Sequence, residues 1–318
     1  MMSIGKKLLR FILVILAVTA ITFLMVNILP GDVSYLIGGE SATTEDIQDI
    51  RRDLGLDRHI AVRYVEWLGR MLGGDLGESY LSGEPVFSAI LNRLPVTIEL
   101  LVISQLLALL LALPAGIFSA YRSNGFTDRL INTAGFATIS IPSFVMALVA
   151  IYLFSIQLRW LPATGYTPFW EDPVANLKSF VLPALSIALI EWVVLMRVLR
   201  SDMIATLKQD YILMARAKGL PPWKILLRHA LRPSSLTLVT VFGLQVGRLL
   251  GEAVIIETIF ALPGIGRLLI TAIYARDYLM VQGCALLITI GYVSINTAVD
   301  MVYGIIDPRI RGARSHAG

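Results

Sequence analysis

Residues 100–121 read LLVISQLLALLLALPAGIFSAY, a stretch without a single Asp, Glu, Lys or Arg. The hydrocarbon core of a membrane is about 30 Å thick, so a helix needs roughly 20 apolar residues to cross it. The composition points the same way, because 56% of the 318 residues are hydrophobic and only 16% are charged, against roughly 25% charged in a soluble protein. The sequence therefore predicts an integral membrane protein.

Five further stretches are long and apolar enough to predict membrane helices. They are Phe11–Leu29, Leu130–Leu158 and Tyr278–Val299, which carry no charged residue, and Phe180–Leu199 and Leu236–Ile256, which carry Glu191, Arg197, Arg248 and Glu252 between them. No internal repeat, low-complexity tract or linker divides the chain. We therefore predict an all-α membrane protein with six transmembrane helices in one domain, residues 1–318.

The basic residues beside the predicted spans predict the orientation of the chain. The first apolar run has 19 residues; signal peptides have about 7–15, so this run predicts a retained anchor. With the N-terminus in the cytoplasm, the inside segments carry 16 Lys and Arg and the outside segments 10. Six of those ten lie in one long loop, where the positive-inside rule carries little weight. We expect a multi-pass membrane protein with both termini in the cytoplasm.

The long loop at residues 31–93 is predicted to form a small helical cap on the extracytoplasmic side. Thr43 can cap a helix with Asp46 in its first turn, and Gly55 can end that helix. Its apolar face consists of Ile47, Ile50 and Leu54. A second amphipathic stretch, Ile60–Leu72, stops at a glycine pair. We expect the cap to cover the outer mouth of a pathway or to meet a delivery protein; the alternative is a solvated loop on the lipid head groups.

Three ionisable residues, Glu191, Arg248 and Glu252, fall within predicted spans. Charges inside a membrane are costly and usually face the interior of a helix bundle or a water-filled cavity. Arg248 and Glu252 are four residues apart, so they can pair along one helix face. The three residues are candidates for a pathway or an interface; the alternative is that they only neutralise each other where helices pack.

Small residues and prolines also mark the predicted spans. Gly243, Gly247 and Gly251 repeat every four residues, and such a row lets another helix approach closely. We interpret the row as a packing face, with a partner subunit as one candidate neighbour. Three prolines fall where they can kink a predicted span: Pro114, Pro142 and Pro183.

A basic segment, residues 197–235, separates the fourth and fifth predicted spans. It carries eight Lys or Arg against two acids, and it offers a surface to something soluble on its side of the membrane. Its centre predicts a short helix. One face of that helix holds Leu207, Tyr211, Met214 and Lys218, and its edge continues through Ala215 and Gly219. With Ala217, these small residues predict a nearly bare side that a partner can approach closely.

The same short helix has a clear stop. Gly219 can adopt the left-handed conformation that ends a helix, and Pro221–Pro222 blocks its continuation. We expect a second helical stretch over Trp223–Arg232, ended by Pro233. The sequence therefore predicts a helix, a sharp turn and another helix at the membrane face.

A family resemblance is carried by Tyr211, by Ala215-Arg216-Ala217-Lys218-Gly219-Leu220 and by Arg228-His229-Ala230-Leu231-Arg232. The segment resembles the cytoplasmic signature of ABC importer permeases of the dipeptide, oligopeptide and nickel class. It departs from the general importer pattern at residues 215–217, where Ala-Arg-Ala replaces Glu-Ala-Ala. Further stretches resemble the same class along the whole chain: Asn27–Asp32, Gly74–Gly77, Arg93–Leu100, Leu182–Leu185, Glu257–Gly266, Arg276–Tyr278 and Asp307–Arg309.

The resemblance implies a type I importer fold of six helices, in which the central segment is a coupling helix that docks in a cleft of an ATPase subunit. The residues assigned to coupling on this basis are Tyr211, Ala215, Arg216, Ala217, Lys218, Gly219 and Leu220. It also implies a second homologous permease subunit, two ATP-binding subunits and an extracytoplasmic solute-binding protein. The chain would then form half of a translocation pathway for peptides or similar small solutes.

The chain itself lacks the motif that binds ATP. A phosphate-binding loop needs Gly-x4-Gly-Lys-Ser/Thr, and no such string occurs. One cysteine, Cys284, and three scattered histidines give no metal-ligand spacing. We therefore expect no enzymatic, cofactor or metal site in this chain, with ATP bound by partner subunits. The alternative functions are a secondary transporter or channel, which typically has internal repeats around a charged midplane site, and an integral membrane enzyme.

Overall fold

The computed structural model describes residues 4–28, 33–39 and 42–306. These residues form helices and turns, with one isolated β-bridge between Glu78 and Pro85. The helices are α1 (Ile4–Ile28), α2 (Val33–Gly38), α3 (Thr44–Asp53), α4 (Ile60–Leu72), α5 (Val86–Tyr121), α6 (Phe126–Ile139), α7 (Ser143–Ala150), α8 (Pro173–Leu207), α9 (Asp210–Ala217), α10 (Pro222–Lys224), α11 (Leu231–Ile259), α12 (Ile265–Tyr274) and α13 (Tyr278–Ile306). A π-helical segment, Ile151–Gln157, continues α7, and another, Ile225–Ala230, joins α10 to α11.

Four helices among the described residues are long and apolar enough to cross a membrane: Val86–Tyr121, Pro173–Leu207, Pro222–Ile259 and Tyr278–Val299. The bent pair of α6 and α7 makes a fifth if it counts as one span, and the apolar part of α1, Phe11–Met25, is shorter. The prediction of an all-α membrane protein is confirmed, whereas the number of six spans stays a prediction. Two of the quoted family stretches, Asn27–Asp32 and Asp307–Arg309, lie partly or wholly outside the described residues.

The predicted third span is broken into two helices that meet at 97°. Pro142 stands at the break in an extended conformation, with φ −59° and ψ 148°, and it has no N–H to donate to the preceding helix. Its carbonyl accepts the N–H groups of Val145 and Met146 at 3.0 and 3.1 Å, which starts α7. The kink predicted at Pro142 is therefore confirmed as a break, whereas Pro114 and Pro183 lie inside the continuous helices α5 and α8.

The predicted basic loop, residues 197–235, is mostly helical, and this corrects its boundaries. α8 extends to Leu207 and the chain is helical again from Pro222 to Ile259, so only the short segment around α9 lies outside the long helices. The sequence predicted that Pro233 ends a helix, but Pro233 lies inside α11. It follows a π-helical segment that already departs from the i to i−4 bonding that a proline interrupts. The cap loop is also shorter than predicted, because α5 already begins at Val86.

The chain groups into two compact units. The first contains residues 98–262 and 292–306, and the second contains residues 4–97 and 263–291, within the described ranges. In the first unit, α8 packs against α6, α7 and α11. Gly116 brings α5 close to α8, since a Cβ at Gly116 would lie 3.0 Å from Leu199. The first unit is therefore organised around α8.

The glycine row of α11 packs within the first unit. A Cβ at Gly243 would lie 2.5 Å from Val299, and one at Gly247 would lie 3.1 Å from Asn296. Both neighbours belong to α13. At Gly251, no described atom lies within 4 Å of such a Cβ. Two of the three glycines therefore contact the chain's own last helix, and the third leaves an open surface.

The second unit contains the cap helices, and both are confirmed. Thr43 and Asp46 form a capping box at the start of α3: the Thr43 N–H donates to the Asp46 carboxylate at 2.8 Å, and the Thr43 hydroxyl accepts the Asp46 N–H at 3.2 Å. Ile47 is buried, and Gly55 follows the helix with φ +63°. α4 has the predicted bounds, Ile60–Leu72.

The core of the second unit holds α4 against α1 and α13. The ring of Phe23 on α1 lies 5.3 Å from that of Tyr64 on α4 and 6.3 Å from that of Trp67. Cys284 on α13 is buried in the same core. The Ser79 hydroxyl also donates to the buried carboxylate of Asp277, just before α13. The unit is thus fixed by an aromatic cluster and by buried hydrogen bonds.

Candidate functional site

The segment around α9 ends in a motif that requires its glycine. Gly219 has φ +75°, a left-handed conformation that costs other residues about 1–2 kcal/mol. The Gly219 N–H donates to the Arg216 carbonyl at 2.9 Å, and the Leu220 N–H donates to the Ala215 carbonyl at 3.3 Å. These two bonds are the pattern of a Schellman motif. The helix stop predicted at Gly219 is confirmed.

The inner side of α9 is fixed by a small apolar cluster. Ile212 and Ala215 are buried against Ile225 of the following helix, with Leu207 and Leu220 packed around them. Ala215 is only 7% exposed, which corrects the prediction that it edges a bare side open to a partner. The small side chain of Ala215 instead lets α9 lie close to the following helical segment, at Ile225. The assignment of Ala215 to coupling stays a prediction.

The outer side of α9 presents apolar and basic side chains together. Tyr211, Leu213 and Met214 are exposed. The other outward residues, also exposed, are Arg216, Ala217, Lys218 and Gly219, and Leu220 is half-buried. Adjacent exposed large apolar side chains are typical of an interaction surface. The geometry therefore brings all the predicted coupling residues except Ala215 and Leu220 to an accessible face.

Hydrogen bonds join the two long helices to each other beside this segment and join α9 to the start of the second. The hydroxyls of Thr206 on α8 and Ser234 on α11 lie 3.0 Å apart. The Tyr211 hydroxyl donates to the His229 carbonyl at 3.5 Å, a carbonyl that loses its usual i+4 donor because Pro233 has no N–H. α9 is therefore held against the end of α8 through Leu207 and against the segment that leads into α11 through Ile225 and His229.

A cavity of about 630 Å³ opens beside the segment. Its walls include Tyr121 and Arg122 at the end of α5, and Arg216, Leu220 and Pro222 from the turn after α9. The lining combines two guanidinium groups with apolar side chains. The surface around α9 therefore has a concave part as well as an exposed helix.

The three ionisable residues of the predicted spans do come together, but in a different pairing. The Arg248 guanidinium contacts the Glu191 carboxylate on α8 at 2.5 Å, not the Glu252 carboxylate one turn along α11. The predicted pair along one helix face is therefore wrong, because α8 offers a buried carboxylate at the same level. Gln245 donates to the Glu191 backbone carbonyl at 3.3 Å. One Glu252 oxygen and one Glu191 oxygen are buried without a hydrogen-bond partner among the described residues.

This cluster is exposed on one side only. The Glu191 side chain is 1% exposed, whereas that of Arg248 is 56% exposed. A guanidinium facing lipid tails at that depth is costly. The Arg248 side of α11 is therefore suited to face water or another protein rather than lipid.

A second buried ion pair was not predicted from the sequence. Arg200 on α8 donates to both carboxylate oxygens of Asp128 on α6, at 2.7 and 2.6 Å. The Ser119 hydroxyl on α5 donates to the same carboxylate, and the Asn132 amide donates to it at 2.7 Å. The group joins three helices near the end of α8 that leads to α9. The usable signal was Asp128 itself, an acid two residues before an apolar run.

The described residues include no group of three His, Cys, Asp or Glu placed to hold a metal ion. Residues 112–312 match the profile of the binding-protein-dependent transport system inner membrane component, and residues 2–101 match that of the N-terminal region of such a component. The chain belongs to this family. It is a membrane component of a transport system, not a catalytic subunit.

Relatives match over nearly the whole chain. A protein of Brucella abortus (strain 2308), provisionally named a peptide transport system permease protein, is 41% identical, over 96% of this chain and 98% of its own. A probable peptide ABC transporter permease protein of Sinorhizobium fredii is 37% identical over 96% and 98%. A probable D,D-dipeptide transport system permease protein of Escherichia coli (strain K12) is 37% identical over 94% of each chain. The family resemblance carried by the motifs is confirmed, and nothing here supports a secondary transporter or channel.

Proposed function

We propose that this family member forms half of the translocation pathway of an ATP-driven importer of peptides or similar small solutes. It acts with a second homologous permease subunit, two ATP-binding subunits and an extracytoplasmic solute-binding protein. Both termini lie in the bacterial cytoplasm. The names of its relatives support the peptide class. The observation that carries the assignment is α9, an exposed helix fixed to two long membrane helices.

The geometry of α9 supports a coupling role. Its outer face, with Tyr211 and Met214, is free to enter a cleft of an ATP-binding subunit. Its inner face is held by Ile212 and Ile225. When ATP binding draws the two ATPases together, α9 moves with them and displaces the adjoining ends of α8 and α11. The pathway then alternates between its two openings, and this chain makes or breaks no covalent bond in the solute.

The Glu191–Arg248 pair supports the assignment of the pathway or subunit interface. The exposed Arg248 guanidinium and the open surface at Gly251 lie on the same side of α11. A second permease subunit or a water-filled pathway on this side removes the cost of exposing a charge to lipid. Glu252 belongs to the same cluster.

Substitutions at Gly219 test the coupling role. Asn and Asp both tolerate the left-handed conformation, and no described atom lies within 4 Å of a Cβ there. The two side chains have nearly the same shape, so they differ mainly in charge. We expect Gly219→Asp to insert normally but to lose co-purification with the ATP-binding subunits or solute uptake, and Gly219→Asn to retain most of both. Equal, wild-type behaviour of the two variants would rule out an ATPase contact at this position.

Single cysteines, introduced into a Cys284→Ala chain, test the orientation of the segment. Met214→Cys, on the outer face of α9, should react with a membrane-impermeant maleimide in inside-out vesicles but not in intact spheroplasts. Ile212→Cys, on the buried face, is the matched control and should react in neither. Labelling of Met214→Cys from the outside would contradict a cytoplasmic coupling segment.

Calorimetry on the solute-binding protein that co-purifies with the complex then tests the peptide class.

A further inference from the structure

A polar cavity of about 220 Å³ in the second unit plays no part in coupling. Its walls include Phe23, near the end of α1, and Tyr278 and Gln282, at the start of α13. α4 and the turn after α3 complete it. Because α1 and α13 are apolar helices that begin or end here, the cavity lies at the level of the membrane interface.

Three side chains that can donate hydrogen bonds line this cavity, and none of them donates one to a residue that the structure describes. Arg63 and Arg70 lie two turns apart on one side of α4, and neither forms an ion pair or a side-chain hydrogen bond with any described residue. Arg63 only lies over the ring of Phe23, at 5.8 Å. The Tyr80 hydroxyl also lines the cavity, and burial raises its pKa, so it keeps its proton at neutral pH. Two free guanidinium groups and a phenol are suited to bind an oxyanion.

The remaining charges of the cavity do not neutralise the arginines. Arg58 is paired with Glu66 at 2.9 Å, so these two lining residues cancel. Asp53 is the other acid of the lining. Arg63, Arg70 and Asp53 together leave the cavity with one excess positive charge. An anion is therefore the ligand that completes it.

The surroundings of the cavity favour a lipid as the source of that anion. α4 exposes apolar side chains away from its core, with Val65 66% exposed and Leu72 78% exposed. An apolar groove of about 550 Å³ adjoins this surface, lined by Met71, Leu72 and, from α1 and α13, Ile12 and Leu286. A helix with exposed apolar residues and free arginines is typical of one that lies in the membrane interface. A soluble anion leaves these apolar surfaces uncovered, whereas a phospholipid covers them.

We propose that Arg63, Arg70 and Tyr80 bind the phosphate group of an anionic phospholipid, whose acyl chains lie against the exposed apolar surface of α4. Arg63 and Arg70 donate to the phosphate oxygens, and Tyr80 donates one further hydrogen bond. The site lies outside the segment assigned to coupling. It gives the cap a specific contact with the membrane surface.

Native mass spectrometry of the full-length protein in detergent tests this site. The probes are phosphatidylglycerol, phosphatidylcholine and inorganic phosphate, each titrated separately. We expect saturable binding of phosphatidylglycerol, weakened about tenfold by Arg63→Gln and by Arg70→Gln, because a charge-assisted hydrogen bond is worth roughly 1.4 kcal/mol or more. Arg52→Gln removes the same charge from the exposed end of α3, where Arg52 pairs with Asp49, and should bind as the wild type does.

A Tyr80→Phe variant and a competition with inorganic phosphate complete the test. Tyr80→Phe removes a single hydroxyl and should weaken phosphatidylglycerol binding several-fold, which covers the case that an arginine variant fails to fold. Inorganic phosphate should not displace the lipid at equal concentration. Unchanged phosphatidylglycerol binding in folded Arg63→Gln and Arg70→Gln, equal binding of phosphatidylcholine, or full displacement by inorganic phosphate would each overturn the proposal.

Discussion

The exposed guanidinium of Arg248 on α11 contacts the buried carboxylate of Glu191 on α8. The same two helices also meet beside α9, where the hydroxyls of Thr206 on α8 and Ser234 on α11 lie 3.0 Å apart. The two helices are thus joined at membrane depth by an ion pair and at their ends by a hydrogen bond. The proposed coupling segment and the Glu191–Arg248 pair therefore lie on the same two helices, which contact each other at both places.

Removing either partner of the Glu191–Arg248 pair should have unequal effects. Arg248→Ala leaves a carboxylate buried without its cation, which typically costs about 3–5 kcal/mol; the exposure of Arg248 places the expected loss at the low end of that range. Glu191→Gln removes the buried charge and leaves an arginine that water can reach, so it should cost less. Thermal unfolding in detergent micelles compares the two variants. A lower midpoint for Glu191→Gln than for Arg248→Ala would contradict the burial pattern.

The bidentate ion pair between Arg200 and Asp128 should not tolerate lysine at position 200. Arg200→Lys keeps the charge but cannot donate two parallel hydrogen bonds to the Asp128 carboxylate. We expect a loss of about 1–2 kcal/mol, seen as a lower unfolding midpoint. Arg129→Lys is the matched control, because Arg129 is exposed next to Asp128. Equal midpoints for the two lysine variants would show that the second hydrogen bond of the ion pair does not contribute to stability.

Gly283 should resist the addition of one methyl group. A Cβ there would lie 2.4 Å from Val86 in the core of the second unit, and overpacking of this kind costs about 1–3 kcal/mol. Gly283→Ala should therefore lower the unfolding midpoint, and Val86→Ala in the same chain should restore part of it. Gly69→Ala on α4, where no described atom lies within 4 Å, should be neutral or stabilising. The absence of any rescue by Val86→Ala would locate the damage elsewhere.

The start of α3 should be sensitive to acid. The Thr43 hydroxyl and N–H donate to the Asp46 carboxylate at 2.7 and 2.8 Å, and these bonds hold its pKa below the ordinary value of 3.8. Because the folded pKa is the lower one, the stabilisation is present at neutral pH and is lost as the pH falls through that lowered pKa. Hydrogen exchange over Thr44–Asp53 should be faster in Asp46→Asn than in wild type at pH 6, and the ratio of the two rates should be smaller at pH 3.

Asp57→Asn, at an exposed position beyond α3, provides the control for this pH dependence. Its exchange ratio to wild type should stay near one at both pH values. A ratio for Asp46→Asn that does not change with pH would mean that the capping box contributes through shape rather than charge.

The sequence predicted those features that depend on nearby residues. The capping of α3 by Thr43, the bounds of α4 and the stop at Gly219 each rest on signals within a few residues, and all three are confirmed. The break at Pro142 belongs to the same class, since one missing N–H accounts for it. Local chemistry was sufficient for these elements.

Features that depend on contacts between helices were not predicted. Arg248 pairs with Glu191, 57 residues away, because packing brings α8 beside α11, and a pattern within one helix cannot show this. Asp128 and Arg200 are 72 residues apart for the same reason. Ala215 has a small side chain that suits either an open surface or a tight internal contact, and only the position of Ile225 decides between them.

The 97° bend at Pro142 also bears on whether the chain crosses the membrane an even or an odd number of times. If the helices on its two sides together cross the bilayer, the chain makes an even number of crossings and its ends share a compartment, as proposed. If they enter and leave on one side, the number is odd and the ends are separated. Two kinds of reporter can be fused to each terminus: one that is active only in the cytoplasm and one that is active only outside it. Their activities show whether the two termini share a compartment, and therefore whether the bent pair crosses the bilayer, without a label placed near the bend.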